Sequence, residues 1–138
     1  IAIIIVRLFS PDNVLALSIA MGAVTLGHCY PVWLKFHGGR GLATGAGTLL
    51  VTCWVWIIYW LLLYFVSSKI TKNVHASSVI AIVGMPLLGW ILHYEMITST
   101  ISHEFSGEQY FAAGSLVAAV CLTRHIEPLK EYFNGKNI

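Results

Sequence analysis

Long apolar runs separated by short polar joints make up this chain. Ile1 to Phe9 is apolar except for Arg7, and Ser10-Pro11-Asp12-Asn13 interrupts it with a turn whose Pro11 and Asp12 also favour a helix start. Val14 to Tyr30 is a second apolar run, ended by Pro31, and its Gly22, Ala23, Thr25 and Gly27 predict a face packed closely on another helix. A glycine-rich joint follows, after which Thr44 to Ser68 runs without a charge. Lys69 and Lys72 break that run. Val74 to Tyr94 resumes it with Pro86 inside, a residue tolerated where neighbours satisfy the freed backbone groups. Glu95 to Glu108 reads as a polar loop. Tyr110 to Thr123 is the last run, short for a straight span, so its helix is expected to begin within that loop. The pattern predicts an all-α, polytopic membrane helix bundle of about five helical segments, forming one integral membrane domain over 1–138 with a short cytoplasmic tail over 124–138.

Thr44 to Ser68 has two readings. One straight helix of this length covers about 37 Å at ~1.5 Å per residue and spans with tilt. A hairpin of two shorter helices is the other. The cluster Trp54, Trp56, Tyr59, Trp60 and Tyr64 favours a turn at the midpoint, because aromatic residues gather at interfaces. The absence of Gly and Pro from 48 to 66 opposes it. Sidedness depends on the choice. With one span, Lys35 and Arg40 stand alone against the remaining basic residues. With a hairpin, the glycine joint, the lysine break and the tail share one face and only Arg7 lies opposite. Positive charge marks the cytoplasm, so both readings put the tail there.

Composition narrows the function classes. Only 10% of residues are charged and mean hydropathy is +0.77, against about a quarter charged in soluble domains. A net charge of +2, without a basic stripe interleaved with aromatics, argues against a nucleic-acid partner. Cys29, Cys53 and Cys121 form no CxxC and no even framework, which predicts buried thiols. Six scattered histidines, His93 and His103 among them, predict no metal site, and no cofactor is expected.

Chemistry concentrates in the joint from His28 to Thr44. Gly38-Gly39-Arg40-Gly41 frees the backbone for positive φ and close approach to a ligand. The helix that follows offers unpaired N–H groups and its positive dipole end, and Arg40 adds a guanidinium suited to phosphate. The same residues admit a plainer reading: Gly41 to Gly45 is a small-x-x-x-small spacing that lets helices pack, and Arg40 a topology charge.

Read at full length, Leu26-Gly27-His28-Cys29-Tyr30-Pro31-Val32-Trp33-Leu34-Lys35-Phe36-His37-Gly38-Gly39-Arg40-Gly41-Leu42-Ala43-Thr44 resembles the second signature of the PlsY-type acyl-phosphate:glycerol-3-phosphate acyltransferases, Gly-His-x-Phe-Pro-Val-Phe-Leu-x-Phe-Lys-Gly-Gly-Lys-Gly-Val-Ala-Thr. Ser78-Val79-Ile80-Ala81 with Pro86 downstream resembles the third signature, and Arg124-His125 the Arg-His that opens the family's tail. Arg40 and His37 stand where lysines are usual, His75 where the third signature begins with Ser, Pro128 where Asn is usual, and Glu131 where Arg is usual. The first signature, which carries a serine and an arginine of the site, is absent and would lie upstream of Ile1. The chain is therefore expected to be an N-terminally truncated fragment, inactive alone, of a protein with about seven spans.

The resemblance implies transfer of a fatty acyl group from acyl phosphate to the 1-hydroxyl of sn-glycerol 3-phosphate. The product is lysophosphatidic acid, an intermediate of phospholipid biosynthesis. It implies Arg40, Ser78 and His125 as catalytic residues, with His28, Gly38, Gly39, Arg40, Gly41, Thr44 and Arg124 binding phosphate. It also implies a multi-pass protein of the bacterial inner membrane, its site facing the cytoplasm beside lipid. A functional link to an enzyme that makes acyl phosphate follows. On the residues alone Ser78 only caps a helix, Arg124 only sets topology, and His125 is only an interfacial histidine. A small transporter or channel is the alternative function, opposed by the absence of Asp, Glu, Lys or Arg within the predicted spans; a purely structural membrane subunit leaves the joint unexplained.

Overall fold

The computed structural model describes residues 1–10, 12–52, 54–92 and 107–134. Among them the chain is helical, with α1 Ala2–Phe9, α2 Val14–Cys29, a 3₁₀ turn Val32–Leu34, α3 Leu42–Thr52, α4 Trp54–Thr71, α5 Val74–Leu92, α6 Gly107–Thr123 and α7 Ile126–Phe133. The polar joints act as caps. Asn13 accepts the Ala16 N–H at 2.9 Å to start α2, and Asn73 accepts the His75 and Ala76 N–H groups at 2.9 and 3.0 Å to start α5. Lys72, at φ 51, closes the tight turn between α4 and α5. The start of α6 at Gly107 falls inside the stretch read as a loop. Cys53, His93 and His103, with most of the Glu95–Glu108 loop, lie outside the described residues.

The run from Thr44 to Ser68 reverses direction. Arg40, just before α3, lies 3.0 Å from His75, just after α4; a straight run between them would hold them about 37 Å apart or more. Seven helices therefore appear among the described residues where the sequence predicts about five segments, because the long run is two helices and the tail folds as α7. One end of the bundle gathers the end of α2, the glycine joint, the end of α4, the start of α5 and the α6–α7 corner. Arg7 belongs to the other end, where its Nη1 donates to the Val51 carbonyl at 2.9 Å and so sits at the negative end of α3.

Packing is closest where side chains are small. A β-carbon on Gly114 would meet the Trp56 ring at 2.8 Å, and one on Gly22 would meet Leu116 at 2.7 Å. Inside lie Thr25, Thr48, Thr52, Ser67, Ser77 and Ser78, all buried. Each of these hydroxyls donates to a carbonyl three or four residues earlier in the chain, so none of the six is left unpaired in the interior. Outside stand Leu15, Ile19, Leu50, Leu62, Phe65 and Leu87, all exposed. With the buried hydroxyls paired inside and large apolar side chains outside, the surface is suited to hydrocarbon rather than water. The α2 run extended to Leu34, and Trp54–Thr71, are long and apolar enough to cross a membrane.

Candidate functional site

The joint between α2 and α3 is built from its backbone. Pro31 ends α2 and opens the 3₁₀ turn, and Lys35 and Phe36 then take left-handed φ of 50 and 63 to bring the chain back. The Gly39 N–H returns to the His28 carbonyl at 3.2 Å. A β-carbon on Gly38 would collide with the His28 carbonyl oxygen, and one on Gly39 with His28 Nε2. At Gly38 the obstacle is backbone, so only glycine allows the fold-back there, whereas at Gly39 it is the far end of the His28 side chain. Gly41 has φ +80 and rests on the sulfurs of Cys29 and Cys121, 2.7 and 3.1 Å from where its β-carbon would be. Its carbonyl accepts the Gly45 N–H at 2.7 Å, the first bond of α3, so the glycines end where a helix N-terminus begins. Thr44 stands in that first turn.

Side chains distant in sequence complete the cluster. Arg124 donates to the Gly38 carbonyl at 2.9 Å and lies over the Tyr30 ring, 5.1 Å from its centroid, while the Tyr30 hydroxyl and Thr123 Oγ1 are 2.7 Å apart. The tail arginine is thus tied to the glycine turn. Arg40 is exposed, with Nη1 at 3.0 Å from His75 Nδ1. His125 is fully buried at the corner after α6. A carbonyl only accepts, so the 2.8 Å contact to the Cys121 oxygen puts the ring proton on Nδ1. Nε2 is then an acceptor, and it has no hydrogen-bond partner among the described residues. Burial pushes the His125 imidazole below its ordinary range, the Cys121 carbonyl opposes this, and Arg40 and His75 lower it further. A neutral ring with an open lone pair results, within electrostatic reach of Arg40.

Most of the residues expected from sequence meet at this end: Gly38, Gly39, Arg40 and Gly41 in the turn, His28 above Gly39, Thr44 behind it, and Arg124 and His125 from the tail. Ser78 lies one turn into α5, buried, its hydroxyl donating to the Val74 carbonyl at 2.8 Å. Two further participants fall in the signature stretches but have no role assigned from sequence, Tyr30 beneath Arg124 and His75 against Arg40. One helical turn below the polar groups is a narrow apolar cavity of about 30 Å³. Leu42, Trp60, Ile82, Val117 and Cys121 help to line it, with Ile82 one turn along α5 from Ser78 and Cys121 one turn before His125. The arrangement offers fixed positive charge, helix N–H groups and an acceptor nitrogen above an apolar crease. Such a site suits a phosphate joined to an aliphatic group.

Comparison with known proteins points the same way. A profile describing glycerol-3-phosphate acyltransferases matches residues 1–135. A glycerol-3-phosphate acyltransferase of Zymomonas mobilis is 30% identical over 127 residues, 92% of this chain and 55% of the relative. One of Campylobacter jejuni is 26% identical over 130 residues, 94% of this chain and 59% of the relative. One of Gluconobacter oxydans reaches 50% identity over 54 residues, 38% of this chain and 26% of the relative. The chain spans little more than half the length of the relatives that it matches along most of its own. No solved structure matches it.

Proposed function

The chain belongs to the glycerol-3-phosphate acyltransferase family, and from that premise we propose that it serves acyl transfer from an acyl phosphate to the 1-hydroxyl of glycerol 3-phosphate, yielding lysophosphatidic acid for phospholipid synthesis. The observation that carries this reading is the meeting, at one end of the bundle, of the Arg40-bearing glycine turn, the Arg124 clasp on Gly38 and the open Nε2 of His125. An acyl phosphate is a mixed anhydride with a good leaving group, so positioning and charge neutralisation supply much of the catalysis and no protein nucleophile is needed.

In this scheme Gly38, Gly39, Gly41 and Thr44, with His28 at the rim, cradle the phosphate of glycerol 3-phosphate at the α3 N-terminus. Arg40 and Arg124 neutralise it. The hydroxyl oxygen attacks the acyl carbon, a new C–O bond forms, the anhydride C–O bond breaks, and inorganic phosphate departs. His125 Nε2, held unprotonated, is the acceptor for the hydroxyl proton, which passes on to the departing phosphate. Ser78 donates to the acyl phosphate by releasing the Val74 carbonyl. The protein is a polytopic helix bundle of the bacterial inner membrane, its two long apolar helices and lipid-compatible surface supporting that placement. The site end carries Lys35, Arg40, Lys69, Lys72 and Arg124, which supports a cytoplasmic orientation. An enzyme that produces acyl phosphate is the functional partner implied.

The test is acylation of glycerol 3-phosphate by the full-length protein in proteoliposomes, with acyl phosphate and acyl-CoA compared as donors. Turnover with acyl phosphate alone is expected. Turnover with acyl-CoA alone, or with neither, contradicts the reading.

A further inference from the structure

An exposed arginine on a glycine turn has many rotamers and little to hold it. Arg40 escapes that condition through its contact with His75, Nη1 to Nδ1 at 3.0 Å. A guanidinium only donates, so Nδ1 accepts and the ring proton belongs on Nε2. His75 is therefore held in the opposite tautomer to His125, whose Nδ1 donates to the Cys121 carbonyl. His75 is itself anchored. Its N–H and that of Ala76 both bond Asn73 Oδ1, and the left-handed Lys72 sets the turn before it.

We infer that His75 is a positioning residue for Arg40, fixing the guanidinium at the glycine turn so that its remaining N–H groups meet a phosphate monoester. The inference rests on the phosphate-binding reading of the turn given above. The fold brings positions 40 and 75 into contact across 35 residues of sequence. A lysine is a compact charge whose three donors turn freely. An arginine presents a rigid planar fork that is useful only when aimed. The exposed arginine thus depends on the acceptor that aims it, and the two residues act as a pair.

Kinetics and phosphate protection of the full-length protein in nanodiscs separate this idea from its rivals. His75→Ala is expected to raise KM for glycerol 3-phosphate about tenfold while kcat stays within about twofold. His75→Gln, which keeps an acceptor, restores most of the affinity. Arg40→Lys raises KM by itself, and adding His75→Ser to Arg40→Lys costs nothing further. An unchanged KM in His75→Ala overturns the inference, and so does an equal loss from removing His75 in the wild-type and Arg40→Lys backgrounds. Inorganic phosphate should raise the melting temperature of the wild type and raise it less in His75→Ala. That readout needs no turnover, so a protein protected through His75 but inactive with acyl phosphate retains the positioning role and loses only the acyltransferase reading. Equal protection of both proteins overturns the positioning role.

Discussion

The two ends of this bundle use their cations in opposite ways. At one end Arg7 is spent on architecture, donating to the Val51 carbonyl and holding α1 against the end of α3. At the other, Arg40 and Arg124 each give one bond to the protein and keep further donors at a helix N-terminus, beside an imidazole whose Nε2 has no partner among the described residues. A donor that closes a carbonyl contributes to stability. A donor held in place but not used up is available for a ligand. The backbone draws the same contrast: left-handed residues Lys35, Phe36, Gly41 and Lys72 all lie at the second end. Strain collects where the chain must present groups, not where it only packs.

Substitutions at each end break or sharpen this contrast, and the largest effect is expected from Arg40→Ala. It should lower acyl transfer at least about a hundredfold, the scale for losing a preorganised charge, with folding and membrane insertion intact by size-exclusion and melting. Arg40→Lys is expected to fall between it and the wild type. Gly38→Ala drives a methyl into the His28 carbonyl and displaces the oxygen that Arg124 holds. It should cost about 1–3 kcal/mol of stability and raise KM for glycerol 3-phosphate, both measurable on purified protein. Arg7→Ala reverses the signature: about 1–3 kcal/mol of stability lost, with KM for glycerol 3-phosphate unchanged. The smallest effect is pH-dependent. The folded His125 titrates below its ordinary 6.5. Stability present above pH 6.5 is therefore lost as pH falls through the lowered folded value, because the unfolded chain binds the proton first. Melting temperatures between about pH 7.5 and 5 should show a decline that His125→Gln flattens.

Much of the local structure was legible in the sequence. Asn13, Pro31 and the Lys72-Asn73 joint mark helix ends, because caps and breakers act within a few residues. The glycine joint was legible for the same reason, its demand for missing side chains being a backbone property. What escaped was tertiary. The reversal between α3 and α4 is one of two readings left open by sequence, favoured by the aromatic cluster and opposed by the lack of Gly and Pro from 48 to 66; where Trp56 and Trp60 find partners on α5 and α6 decides it. The eight residues of α7 are too few to be stable alone, so only their packing against α5 makes them a helix. His75 was visible as a departure from a signature, yet its partner 35 positions away was not. The Ser78 hydroxyl bonds the Val74 carbonyl within its own helix, a rotamer choice that sequence does not reveal.

Equilibrium binding of radiolabelled glycerol 3-phosphate to proteoliposomes bearing wild type, Arg7→Ala or Arg40→Ala tests the central claim most directly. The account predicts that wild type and Arg7→Ala bind alike and that Arg40→Ala loses binding. Undiminished affinity in Arg40→Ala would contradict it.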